Sequence, residues 1–209
     1  MFNKAKNWIS DNPDLSFAIL LSICVYAYFG LTNELFPTHR TGFAIMERFA
    51  VLGLVGLALT LCIIAGEIDL SIGSNAALAA VITVRFTDSL GAPSALLIAL
   101  LVSTSIGAIQ GYFIAYLRVR AIVLTVGTLM LLRGVALFAA EEKTVMLTDF
   151  RVPDFISTKM LWYFSPASLL VILMFVIVGL FMGYTRFGRE IYAIGGARKE
   201  AIAAGMDTL

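Results

Sequence analysis

Residues 65–74 read Ala65-Gly66-Glu67-Ile68-Asp69-Leu70-Ser71-Ile72-Gly73-Ser74, a polar interval between two long apolar runs. Two carboxylates and two hydroxyls are dense for a chain so apolar on either side. Asp69 and Ser71 are good helix N-cap types, because a short side-chain oxygen accepts from the unpaired N–H groups of a first turn. Gly66 and Gly73 give the backbone freedom and room for close packing. The interval is read as a turn and helix start, with the lining of a gated pathway as the alternative. The segment that follows, 70–86, decides the fold, since it either crosses a bilayer or enters and returns. An interrupted helix at membrane depth survives only when buried in protein or lining a water cavity.

The rest of the chain explains why a bilayer enters the question. Of 209 residues, 60% are hydrophobic and 14% are charged, against about 45–50% and about 25% for an ordinary soluble domain. Mean hydropathy is +0.92. A soluble domain of this size leaves much of its surface in water, so lipid is the solvent for most of these side chains. A helical span needs about 20 apolar residues, and 15–33, 44–65, 94–117, 121–140 and 161–184 qualify. With 70–86 as a sixth, the expected fold class is all-α, a polytopic transmembrane helix bundle of about six spans. Lys4 and Lys6 precede the first apolar run as in a signal peptide, but no small-residue cleavage site follows, so the run is read as a retained span.

Basic residues in short loops set the orientation. With six spans, Lys4, Lys6, Arg118, Arg120, Arg186, Arg189, Arg198 and Lys199 lie inside, and Arg40, Arg48, Arg85, Lys143, Arg151 and Lys159 outside. The tight 118–120 turn carries two arginines and no acid, whereas 141–160 mixes three bases with Glu141, Glu142, Asp149 and Asp154. The bias favours six spans with a cytoplasmic N-terminus. Trp162 and Tyr163 are expected to open the last span and Tyr184 to close it as interfacial anchors.

Net charge is +1 and no basic stripe suggests nucleic acid. Cys24 and Cys62 are read as small buried apolar residues, and His39, the single histidine, is expected in a loop, which argues against a metal site. None of the five lysines follows a glycine, so the chain has no P-loop, and no catalytic residues are assigned. Ionisable groups inside a membrane are costly and default to functional hypotheses. Glu67, Asp69, Ser71, Gln110 and Arg133 are therefore the candidate translocation-path residues. Ser103, Gly107 and Gly111 recur every four residues, as in a stripe for close helix packing. Gly195-Gly196 is expected to break the chain ahead of a short Ala-rich helix over 197–204 that stops at Gly205. Such a helix in a loop gives another protein a rigid knob to engage.

Four stretches together resemble permease subunits of bacterial ABC transporters that import ribose, xylose and related sugars. Gly66-Glu67-Ile68-Asp69-Leu70-Ser71-Ile72-Gly73-Ser74 is similar to that family's Gly-Gly-Ile-Asp-Leu-Ser-Val-Gly-Ser, with Glu67 in place of a glycine. Ile122-Val123-Leu124-Thr125-Val126-Gly127-Thr128, with Arg133-Gly134 downstream, resembles its Ile-Val-Thr-Leu-Gly-Thr and Arg-Gly pattern, with Ala121 where a proline is usual. The third is Thr185-Arg186-Phe187-Gly188-Arg189-Glu190-Ile191-Tyr192-Ala193-Ile194-Gly195-Gly196, and the fourth is the Ala-rich helix ending in Gly205.

The resemblance implies a non-enzymatic permease subunit in the bacterial inner membrane that binds no cofactor of its own. ATP-Mg is hydrolysed in cytoplasmic ATPase subunits, a second permease subunit (identical or a sister) completes the path, and a periplasmic sugar-binding protein delivers the solute. It assigns 1–14 to a cytoplasmic N-terminus, 15–184 to the permease bundle and 185–209 to an ATPase-docking segment. Gly195, Gly196, Lys199, Glu200, Ala201 and Gly205 are its candidate docking residues. Family members continue with further spans, so the chain is expected to be about the first two-thirds of one. The alternative from another class is a self-contained ion-coupled transporter or channel using Glu67, Asp69 or Arg133.

Overall fold

The computed structural model describes residues 12–141, 151–160 and 162–206, and the side chains of 151–153 lie outside that description. Lys4, Lys6, Glu142, Lys143, Asp149 and the residues at 161 and 207–209, on which some of the above expectations fall, lie outside it as well. The described chain is helical throughout: α1 Pro13–Thr32, α2 His39–Ile64, α3 Ile72–Leu90, α4 Ala92–Ala115, α5 Ala121–Ala139, α6 Arg151–Ile156, α7 Pro166–Tyr184, α8 Arg186–Gly196 and α9 Arg198–Ala203. In lipid this is the expected solution, because a helix satisfies its own backbone groups. Five helices, α1, α2, α4, α5 and α7, are long and apolar enough to cross a membrane. The less apolar α3 is continuous and, at 19 residues, as long as α5 and α7.

Several boundaries moved for identifiable reasons. Thr38 accepts from Thr41 N and starts α2 at His39, so the histidine is helical rather than in a loop. Glu47 and Arg48 consequently sit two turns inside α2. The last span begins at Pro166, because Ser165 and Ser168 form a reciprocal capping box and proline occupies a first-turn position whose N–H has no helical partner. Trp162 and Tyr163 precede that helix and fold back on α2, where Tyr163 stacks on His39 at 4.6 Å and Trp162 lies 4.8 Å from it. Tyr184 closes α7 as expected. Cys24 is exposed, contrary to its expected burial, because α1 buries none of its residues.

Packing falls into two neighbouring groups. α3 packs chiefly on α4 and α5, and α2 packs chiefly on α7, with smaller contacts to α3 and α8. Leu78, Leu132 and Ala136 form the core of the first group, with Val81, Ile82 and Ile106 against it. Between helices in lipid the gain comes from close packing and polar contacts rather than from escape from water. The Ser103-Gly107-Gly111 stripe contributes little to that packing, for nothing lies within 4 Å of an added Cβ at Gly107 or Gly111. α3 and α5 run parallel and α4 antiparallel to them. Near one end Ser71 and Thr125 approach the hairpin and Gln110, and at the other end Arg85 pairs with Glu141 at 2.7 Å.

Candidate functional site

The 65–71 interval is built from the end of α2 outward. Gly66, with φ 83°, takes the left-handed position of a Schellman stop: Gly66 N donates to Ile63 O and Glu67 N to Cys62 O, both at 3.0 Å. The chain then turns towards α3. Asp69 does not cap that helix, nor does the Ser71 side chain. Asp69 Oδ1 instead accepts from both Ser71 N and Ser71 Oγ at 2.7 Å. That local turn leaves the Ser71 hydroxyl free to accept, and Gln110 Nε2 donates to it at 2.9 Å from α4.

Ser71 is 1% exposed and Gln110 7%, so both polar groups are withdrawn from solvent and mutually satisfied, as buried polar groups must be. Thr125, fully buried on α5, has its hydroxyl 3.4 Å from Ile68 O and from Ile122 O. One turn into α3, Asn75 Nδ2 donates to Ser103 O at 3.3 Å, while its buried Oδ1 has no partner. Three helices and the hairpin thus converge on one polar cluster near one end of the bundle.

Of the five path candidates, Asp69, Ser71 and Gln110 come together here. Glu67 points the other way and accepts from Arg198 Nη1 at 3.3 Å, which ties the hairpin to α9. Arg133 does not join. It lies eight residues beyond Thr125, about 12 Å along the helix, exposed and without a polar partner among the described residues. Sequence reading did not single out Thr125 or Asn75 by role. Thr125 sat inside a quoted family-like stretch, but a lone hydroxyl in an apolar run shows no chemistry until another element approaches it.

The docking candidates divide by which way they face. Gly195 and Gly196 do not break the chain but form the last turn of α8, and the helix ends at Ala197. A Cβ on Gly195 would run into the carbonyl of Ile64, and Gly66 lies against Gly195 as well. Close backbone approach, rather than helix breaking, is what requires glycine there. Ala201 is 4% exposed and faces the chain itself, whereas Gly196, Lys199, Glu200 and Gly205 are exposed. Gly205, with φ 82°, stops α9 through a second Schellman pair, Gly205 N to Ile202 O and Met206 N to Ala201 O. The arrangement brings polar binding groups and a mechanical link, the Glu67–Arg198 pair, to one end of the bundle.

The sequence is similar to known proteins over most of its length. Residues 42–209 match the family described as branched-chain amino acid transport system / permease component. The chain is 31% identical over 208 residues to the autoinducer 2 import system permease protein LsrC of Yersinia enterocolitica, covering 96% of this chain and 57% of the relative. It is 30% identical over 194 residues to LsrC of Yersinia pestis strain Pestoides F, covering 91% and 54%. The chain therefore spans little more than half the length of these relatives. No solved structure matches it. All four family-like stretches lie within the matched region, and the chain belongs to this family of ABC transporter permease components.

Proposed function

We propose that the chain is part of the membrane-spanning permease subunit of an ATP-driven importer of sugars or sugar-like solutes. The observation that carries this reading is the family match across 42–209, supported by relatives whose names specify autoinducer 2 import. The subunit sits in the bacterial inner membrane with its N-terminus cytoplasmic and crosses six times, α3 included. The length of α3 and its packing alongside α4 and α5 support the sixth crossing. The 65–71 hairpin, the 116–120 turn and 185–206 then share the cytoplasmic end, which agrees with the basic residues of the latter two.

On this reading α8 and α9 take the push of a partner ATPase, with Gly196, Glu200 and Gly205 on the contact face. The Glu67–Arg198 pair and the Gly195–Ile64 contact pass that push to the hairpin that bears Asp69 and Ser71. Closing and opening of the ATPase would bias a two-state bundle and expose the polar cluster to alternate sides. A second permease subunit, identical or a sister, completes the path, and a periplasmic binding protein supplies the solute.

The test is uptake in vesicles that contain the permease, its co-purifying ATPase and the binding protein. Uptake should require ATP hydrolysis and persist when an ionophore collapses ion gradients. Uptake without any ATPase, or uptake abolished by the ionophore at constant ATP, would reject the proposal in favour of an ion-coupled transporter.

A further inference from the structure

An open cleft of about 830 Å³ lies at the end of the bundle that carries the hairpin and α9. Three separate stretches wall it: the hairpin at 66–68, the turn between α4 and α5 at 118–123, and α9. Arg118, Arg120, Arg198 and Lys199 line it, and Glu67 is the one acid among its lining residues. Glu67 is engaged by Arg198. Arg118, Arg120 and Lys199 are exposed and have no acidic partner among the described residues. Three cationic side chains from two elements therefore face one concavity without a counter-charge. Arg118 is held there by a left-handed backbone, φ 54°, a conformation a non-glycine residue adopts at a cost and one that recurs at ligand sites.

The other lining residues narrow the class of ligand. Ile114, Ile122 and Val123 continue the wall onto α4 and α5, two helices apolar enough to lie in the membrane. Ile122 and Val123 are 52% and 66% exposed. Cations beside an exposed apolar wall on two membrane-length helices match a ligand with an anionic head and a hydrocarbon tail. Basic pockets between membrane helices on the cytoplasmic side take acidic lipid headgroups for that reason. An acidic protein segment would satisfy the charges but leave the apolar wall uncovered.

We infer that this cleft is a binding site for an anionic phospholipid, whose phosphodiester sits among Arg118, Arg120 and Lys199 while its acyl chains lie along Ile114, Ile122 and Val123. Arg198 is shared with Glu67, so an occupied cleft would steady α9 against the hairpin and set how freely the proposed docking helix moves.

The experiment is native mass spectrometry of the full chain released from nanodiscs of mixed phosphatidylglycerol and phosphatidylcholine. The wild-type chain should retain phosphatidylglycerol selectively. Combined Arg118→Gln, Arg120→Gln and Lys199→Gln should lower that retention about tenfold or more. Arg118→Lys with Arg120→Lys should keep most of it, which guards against a folding defect. Arg85→Gln with Lys159→Gln, at other sites on the chain, should change nothing. Equal retention by the triple-glutamine chain would overturn the site. Competition by millimolar inorganic phosphate as effective as that by lipid would make the ligand a free anion and reject the lipid. Loss of ATPase co-purification with unchanged lipid selectivity would assign the cleft to an acidic protein surface and overturn the inference while leaving the transport proposal intact.

Discussion

Gln110 on α4 and Ser71 at the start of α3, 39 residues apart in sequence, are joined by a buried 2.9 Å hydrogen bond. Asp69 accepts from the same serine, so the amide fixes a carboxylate-bearing turn against a membrane helix. Gln110→Leu leaves Ser71 Oγ without its donor, and Ser71→Ala strands the Gln110 amide and leaves Asp69 only the backbone N–H of residue 71. Polar contacts between membrane helices average about 0.6 kcal/mol and reach about 1.7 kcal/mol in measured cycles. Each single change should therefore cost about 1 kcal/mol, and the double variant less than the sum. Thermal unfolding of the purified chain in detergent checks this, and strict additivity would show that the two side chains do not interact.

Gly195 and Gly196 are adjacent but should respond oppositely to alanine. At Gly195 the methyl collides with the Ile64 carbonyl, and at Gly196 nothing lies within 4 Å. Gly196→Ala should be neutral or stabilise α8 by up to about 1 kcal/mol through helix propensity. Gly195→Ala should lift α8 off the end of α2 and lower the melting temperature despite the same propensity gain. Hydrogen exchange over 186–196 should rise in the second variant alone. Equal behaviour of the two variants would contradict the close approach.

Glu67 and Arg198 form a half-exposed ion pair, a class worth about 0–1 kcal/mol. Glu67→Gln should leave unfolding almost unchanged, yet on the proposed function it should weaken the link between ATP turnover and uptake. The charge swap Glu67→Arg with Arg198→Glu should recover part of that coupling, whereas either reversal alone should not. The ratio of solute transported to ATP hydrolysed, measured with the partner ATPase present, reads the effect. An unchanged ratio in all four variants would remove the pair from the transmission path.

Gly205→Val places a β-branched residue at φ 82°, where the left-handed backbone costs an ordinary residue about 1–2 kcal/mol. It should fray α9, and Glu200→Trp should block its exposed face. Both should reduce ATPase co-purification while membrane insertion, followed by protease protection, stays intact. Unchanged assembly in both variants would reject 198–205 as the docking contact.

Membrane residence, the helical class and the positions of the spans were legible from composition and run length, because burial in lipid demands long apolar segments. The stop at Gly205 was legible too, since a left-handed residue after a helix favours glycine. Helix starts were less so: α2 begins at His39 because Thr38 caps it, and α7 at Pro166 because two serines cap each other. The first start lies ahead of the expected apolar run and the second behind its beginning, because a hydropathy count does not see caps.

Partnership was decided by the tertiary structure alone. The sequence offered Glu67, Asp69, Ser71, Gln110 and Arg133 as one class of costly polar residue. Packing of α3 between α4 and α5 put Ser71, Gln110 and Thr125 together, sent Glu67 to Arg198 and left Arg133 apart. Hydropathy acts residue by residue along the chain, whereas a hydrogen bond across 39 or 131 residues exists only once helices meet. The sequence therefore determined that 65–74 is a polar interval between apolar runs, and the fold determined that its turn binds α4 through Ser71 and α9 through Glu67.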